Sequence, residues 1–177
     1  VASAQPLEAR HMPLLDKLLE RQDKGGDLAG SARTAELMAA FGTSAAERAQ
    51  RHLRAAHDYL AAGDKIRARA AAERAVENDP YDVDAVDVAS QLAFEQSDVE
   101  AAAAMLTRLL TAKDDRLGSA AHRALLGARL GTARMQRGDT RQALQAFEQA
   151  IAIAAGADGA ITARRALVEL ARGDSDP

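Results

Sequence analysis

The stretch Ala62-Gly63-Asp64-Lys65-Ile66-Arg67-Ala68 joins two predicted helices through a turn that recurs along the chain. Gly63 can take the left-handed conformation that ends one helix, and the Asp64 side chain can cap the next. The same Gly-Asp or Ser-Asp pair returns along the chain at intervals of 37, 34, 41 and 35 residues, with Asp27, Asp64, Asp98, Asp139 and Asp174. A period of about 34 residues is typical of helix-turn-helix arrays, in which neighbouring units supply the core for one another.

The composition agrees with such an array. Alanine fills 44 of the 177 positions, tryptophan is absent and only 3% of the residues are aromatic, which favours closely approaching helices over a sheet. Gly127 and Gly131, four residues apart on one predicted helix, indicate a place of close helix contact. We therefore expect an all-α fold, an α-solenoid of antiparallel helix pairs with about nine helices.

Charge and cysteine usage exclude several classes of function. The chain has 23 basic and 26 acidic side chains, a net charge of -3, and no Lys/Arg block that would neutralise phosphates, so nucleic acid is not an expected partner. The absence of cysteine excludes disulfides and thiolate metal sites. The four histidines form no i, i+4 pair, so we expect no metal site and no cofactor.

No stretch approaches the roughly 20 apolar residues of a membrane-spanning helix, so we expect no direct membrane insertion. The prediction is a soluble chain, in the cytoplasm or the periplasm. Val1-Ala2-Ser3-Ala4 is similar to the small-residue end of a cleaved secretion signal, and an arbitrary start in an Ala-rich chain explains it equally well.

The turns divide the chain into five predicted segments of one continuous solenoid domain. Ser44 and Glu47 have the spacing of a capping box, so a helix is expected to begin there. The segments are a degenerate N-terminal helical pair (1-43), a repeat (44-82), a second repeat (83-114), a third repeat with an insertion near residues 113–119 (115-157), and a C-terminal capping helix with a tail (158-177).

The three units after Thr43 resemble tetratricopeptide repeats, whose signature is W-x2-L-G-x2-Y, then A-x3-F, then P. The first unit has His52-x2-Ala55-Ala56-x2-Tyr59, followed by Ala68-x3-Ala72 and Pro80. The second has Val86-x2-Ala89-Ser90-x2-Ala93, followed by Ala102-x3-Leu106. The third has Gly127-x2-Leu130-Gly131-x2-Arg134, followed by Ala143-x3-Phe147.

The resemblance implies a right-handed superhelix in which the first helix of each pair lines a concave groove for a peptide or a partner's helix. Carried over to this chain, the lining is Gln50, Leu53, His57, Leu60, Asp84, Asp87, Gln91, Phe94, Leu125, Ala128, Thr132 and Met135. Because this lining is acidic in its middle, the expected partner carries basic residues, with Leu53, Phe94 and Met135 as apolar anchors. Alternatively, the leucines pack on the N-terminal pair and the aspartates favour a helix start through its dipole.

The leading functional prediction is a protein-protein interaction or scaffold module, with self-association as an option. One alternative is a soluble repeat segment of a bacterial envelope or polysaccharide-export assembly, and a third is an enzyme with an unrecognised site. No Gly-rich phosphate loop, Ser/His/Asp arrangement or paired-carboxylate site stands out from the helical pattern. We therefore expect no enzymatic activity and name no catalytic residue.

Overall fold

The computed structural model describes residues 9–112 and 118–173. Within these ranges the chain forms a short 3-10 helix, Ala9–His11, nine α-helices and no strand. The α-helices are α1 (Met12–Gly25), α2 (Leu28–Ala39), α3 (Ala45–Ala61), α4 (Lys65–Asn78), α5 (Val83–Glu95), α6 (Val99–Thr111), α7 (Ala120–Gln136), α8 (Thr140–Ile153) and α9 (Asp158–Gly173). The prediction of an all-α fold is confirmed.

The chain divides into two compact units, Val1–Asp79 and Pro80–Pro177. The first contains α1 to α4 and the second contains α5 to α9, and within each unit every helix packs on the next one along the chain. In the second unit α9 also packs on α7. The predicted repeats coincide with the pairs α3–α4, α5–α6 and α7–α8, while their boundaries and the single continuous domain remain predictions.

Three predicted features lie wholly or partly outside the described residues. They are the small-residue start at residues 1–4, most of the insertion near residues 113–119, and the tail that follows Gly173.

Of the four recurring aspartates that the structure describes, three cap helices and Asp139 does not, while Asp174 lies outside the described residues. The Asp27, Asp64 and Asp98 carboxylates begin α2, α4 and α6, and each accepts a hydrogen bond from a backbone N–H in the first turn, at 2.9, 3.0 and 3.1 Å. Asp139 occupies the same place before α8 but makes no side-chain capping bond. Its carboxylate instead lies 3.2 Å from Nε of Arg137, which draws the side chain away from the helix start.

One turn uses serine where the others use glycine. Gly26, Gly63 and Gly138 have φ values of 70°, 81° and 80°, and Ser97 takes the equivalent place with φ of 62°. This left-handed conformation brings the Cβ of an L-residue too close to the backbone, whereas glycine adopts it without that clash. The turn between α5 and α6 is therefore strained relative to the others.

Small side chains dominate the buried positions of α3 and α4, which pack on each other. The buried residues of these two helices are mainly alanines, and those with 0% exposure are Ala55, Ala56, Ala68, Ala71, Ala72 and Ala75. Side chains that end at Cβ let helix backbones approach closely, and alanine loses no side-chain entropy on burial. Many alanines of the sequence therefore lie on the buried faces of these two helices.

The largest fully buried side chain, Phe147 on α8, rests against Gly131 on α7. Ala128, Ala143, Ala150 and Ala163 surround the ring. A Cβ added at Gly131 would lie 2.5 Å from Cδ1 of Phe147, which is inside van der Waals contact. The predicted close helix contact at Gly131 is therefore confirmed, and the Phe147 ring fills the space that a side chain at position 131 would occupy.

Exchanging residues between two turns of the second unit tests the strain at Ser97. We expect Ser97→Gly to raise the free energy of unfolding by about 0.5–1 kcal/mol, because relief of the left-handed strain exceeds the entropy that glycine adds to the unfolded chain. The reciprocal change Gly138→Ser should lower it by a similar amount. Urea unfolding followed by circular dichroism measures both, and a decrease on Ser97→Gly would contradict the assignment.

A methyl group at Gly131 tests the Phe147 contact. Gly131→Ala should lower the free energy of unfolding by about 1–3 kcal/mol, because the added methyl group overpacks the core. The higher helix propensity of alanine, about 1 kcal/mol, acts in the opposite direction. The control is Gly156→Ala, where an added Cβ meets no atom within 4 Å. Because Gly156 lies in a turn and gains no helix propensity, a Gly131→Ala variant that is about 1 kcal/mol more stable than Gly156→Ala would show that the ring yields without cost.

Candidate functional site

The predicted face of α3 is partly open to solvent. Gln50 and His57 are exposed, and Leu53 and Leu60 are half-buried. Their spacing of three or four residues places all four on one side of the helix. The first unit therefore presents a mixed polar and apolar strip along α3.

A cavity of about 350 Å³ borders this strip at Gln50, and we call it the Met38 cavity. Leu19, Ala35 and Met38 contribute its apolar wall, and Leu19 and Met38 belong to a small core cluster between α1 and α2. The polar residues that line it are Asp16, Glu47, Gln50, Arg51 and Arg54. Nothing in the spacing of Met38 in the sequence indicates that a space remains beside it.

The capping box at the start of α3 supplies part of the cavity wall. The Ser44 hydroxyl accepts from the Glu47 N–H at 3.1 Å, as predicted. The Glu47 carboxylate accepts from the N–H and the hydroxyl of Thr43, both at 2.9 Å, one residue earlier than the usual pattern. These bonds, together with Arg51, lower the pKa of Glu47 from 4.5 to about 2, so this wall carries a fixed negative charge at neutral pH.

Arg51 has an unused hydrogen-bond donor beside this cavity. Its Nη2 lies 2.6 Å from the Glu47 carboxylate, whereas its Nη1 is buried and has no hydrogen-bond partner among the described residues. A buried donor without an acceptor costs free energy, and because the guanidinium group is rigid, turning Nη1 towards an incoming acceptor would also move Nη2 away from Glu47.

A polar network fixes α3 against α1 and α2. Arg54 Nη2 donates to both carboxylate oxygens of Asp23, at 2.7 and 2.6 Å. The buried Ser31 hydroxyl donates to Asp58 at 2.6 Å and also lies 3.0 Å from Asp23. The hydrogen bond from Arg54 lowers the pKa of Asp23. Because residues from three helices share this network, it holds the walls of the Met38 cavity in register.

In the second unit the predicted faces of α5 and α7 meet through Asp87. Arg129 Nη1 lies 2.5 Å from the Asp87 carboxylate and also donates to the Asp87 carbonyl at 3.0 Å and the Ser90 hydroxyl at 3.1 Å. His122 Nε2 lies 3.1 Å from the other carboxylate oxygen. A basic residue of a partner would therefore have to compete with two groups of the chain itself. These contacts have no signal in the sequence, since 35 residues separate Asp87 from His122 and 42 residues separate it from Arg129.

The other predicted residues of this face differ in accessibility. Asp84 and Gln91 are exposed, Phe94 is half-buried, and Leu125 is 38% exposed. Thr132 is half-buried and donates to the Ala128 carbonyl at 3.1 Å.

Ala128 and Met135 belong to the interior of the unit. Ala128 is 1% exposed and lies in the Phe147 cluster, and Met135 packs against that cluster. Because Phe147 and Ala163 cover it, Ala128 cannot line a groove, which corrects its predicted place. Met135 keeps some exposed surface and remains a predicted contact.

The described ranges contain no group of three His, Asp or Glu side chains placed to hold a metal ion. Burial and the nearby Arg74 guanidinium lower the pKa of His52, whose Nδ1 is buried without a hydrogen-bond partner among the described residues. Among the described helices none is both long and apolar enough to cross a bilayer.

Comparisons with known proteins identify the fold. No family model matches the chain, and no curated protein matches it. Two crystal structures of MamA are similar, each at 19% identity. One covers 78% of this chain and 75% of its own with a TM-score of 0.59, and the other covers 82% and 74% with a TM-score of 0.60.

The structure of BtubC from P. vanneervenii is similar at 18% identity, covering 86% of this chain and 67% of its own, with a TM-score of 0.58. At these identities the likeness concerns the backbone. The chain therefore has the all-α helical-repeat fold of the solenoid class that these structures share.

Proposed function

We propose that the chain is a protein-protein interaction module that binds a peptide or a partner helix along the predicted faces. The Met38 cavity carries this proposal, because it combines an apolar wall with charged residues directly beside the predicted strip of α3. Burial of one aliphatic side chain there contributes about 1.5–3 kcal/mol, which suits an anchor residue of a peptide.

The partner proposed for the second unit differs from the one expected from the acidic lining, in which basic residues led. Asp87 is engaged by Arg129 and His122, so the carboxylate on this face that can meet a basic residue is the exposed Asp84. Phe94 supplies the half-buried apolar surface on the same helix. We therefore propose an apolar anchor as the main determinant of binding and a basic residue as a secondary one.

Selection of peptides from a displayed random library tests the binding face. We expect selected peptides to carry an aliphatic anchor, and Gln50→Trp to weaken them about tenfold or more, because the indole obstructs the Met38 cavity. Fluorescence anisotropy measures the affinity. Gln145→Trp is the matched control, since Gln145 is exposed on α8.

Circular dichroism should give unchanged melting for both tryptophan variants. A library that yields no binder, or binders that tolerate Gln50→Trp as well as Gln145→Trp, would contradict the proposal. Concentration-dependent association of the chain in sedimentation, abolished by Gln50→Trp, would identify a second copy as the occupant.

Substitution of two neighbouring aspartates separates the structural carboxylate from the exposed one. Asp87→Asn should lower the free energy of unfolding by about 1.5–3 kcal/mol, because the charge-assisted bonds from Arg129 lose their acceptor charge. Asp84→Asn should change it by at most about 0.5 kcal/mol, the scale of a charge near an exposed helix start. Urea unfolding distinguishes them, and equal effects would mean that the Asp87 contacts contribute nothing to stability.

A further inference from the structure

A second cavity of the first unit, about 360 Å³ in volume, lies away from the predicted binding strip. It is lined by Arg33, Glu36, Tyr59, Arg67, Ala70 and Arg74, and we call it the Tyr59 cavity. Tyr59 is separated from the strip by the helical spacing, which turns it towards the other side of α3. The lining residues of α2 and α4 complete this cavity.

Internal bonds fix the inner wall of the Tyr59 cavity. Tyr59 is 2% exposed, and its hydroxyl donates to one Glu36 carboxylate oxygen at 2.9 Å. The other Glu36 oxygen accepts from Arg74 Nη1 at 2.6 Å. Both oxygens of the only carboxylate among the lining residues are therefore engaged, and its charge is offset by Arg74.

Two guanidinium groups remain at the mouth of the cavity. Arg67 lies over the Tyr59 ring, 5.9 Å from its centroid, and its Nε is 3.4 Å from the Asp64 carboxylate. Arg33 is exposed and has no ion pair among the described residues. Burial and Glu36 raise the pKa of Tyr59, while Arg67 and Arg33 act in the opposite direction, so the fields of both cations reach the phenol.

The excess of positive charge among the lining residues indicates an anionic ligand. The lining has three guanidinium groups against one carboxylate, in a chain whose net charge is -3. Arginine binds carboxylates through two parallel hydrogen bonds, so a carboxylate is the anionic group that these guanidinium groups fit. Nucleic acid is disfavoured because the rest of the chain supplies no run of cations for further phosphates.

We propose that the Tyr59 cavity binds glutamate or aspartate side chains of an acidic peptide segment in a partner protein. A single small anion gains little at exposed guanidinium groups, which water and salt screen. Several carboxylates on one segment act together, since the second contact becomes intramolecular once the first has formed. This proposal uses a surface separate from the Met38 cavity and does not depend on binding there.

The test compares three probes on the intact chain: a short Glu-rich peptide with blocked termini, its Gln-for-Glu analogue, and inorganic phosphate. Fluorescence anisotropy gives the peptide affinities, phosphate being added as a competitor. Two-dimensional NMR of the arginine Nε–Hε groups locates the bound probe. We expect the Glu-rich peptide alone to bind, to shift the signals of Arg33 and Arg67, and to bind more weakly as salt rises.

Two double variants of equal net charge separate the cavity from general attraction between opposite charges. Arg33→Gln with Arg67→Gln should weaken the Glu-rich peptide about tenfold, whereas Arg164→Gln with Arg165→Gln on α9 should change it about twofold or less. Arg74 is left unchanged because it holds Glu36 in place. The single variant Arg33→Gln should give an intermediate loss, and Arg33→Lys should recover part of the affinity.

Each other outcome overturns the proposal. Equal losses in both double variants would indicate non-specific attraction, and equal binding of the Gln analogue would remove the carboxylates from recognition. Phosphate that shifts the same arginine signals and displaces the peptide at matched charge concentration would identify a site for small anions. NMR signals of Arg33 and Arg67 that do not shift would show that the peptide binds elsewhere. This outcome is independent of the effect of Gln50→Trp, which tests the Met38 cavity.

Discussion

The helices pack closely because alanine occupies most of their buried hydrophobic positions. The buried residues of α3 and α4 are mainly alanines, whose side chains end at Cβ. In the second unit Phe147 fits only because Gly131 has no side chain. Such contacts bury little apolar area per residue, so helix orientation needs additional polar bonds. The hydrogen bond from Ser31 to Asp58 provides this in the first unit, and the hydrogen bond from Arg129 to Asp87 provides it in the second.

Local chemistry explains why the helices and turns could be predicted from the sequence. Helix ends depend on residues a few positions apart, and the capping bonds of Asp27, Asp64 and Asp98 formed where the Gly-Asp and Ser-Asp pairs placed them. Asp139 shows the limit of this reasoning. Its sequence context is almost the same, yet Arg137 two residues earlier competes for the carboxylate and the cap does not form.

The candidate sites could be predicted only in part, because they depend on residues distant in sequence. The spacing placed Gln50 on an accessible face, but it could not show that α1 and α2 leave a cavity beside Met38. The periodicity likewise could not distinguish Ala128, which α8 and α9 cover, from its exposed neighbours. The Tyr59 cavity combines residues of α2, α3 and α4, and Tyr59 is the one lining residue that belongs to the repeat signature.

The alanine contact of α3 also determines how its two sides can influence each other. This helix contributes Gln50 and Arg51 to one cavity and Tyr59 to the other, and α4 packs against it largely through methyl groups. A methyl side chain has no alternative rotamer, so these alanines cannot relay a change by side-chain rearrangement. A signal that passes between the two cavities along α3 would therefore move the helix as a rigid body, and the bond between Ser31 and Asp58 resists such a displacement.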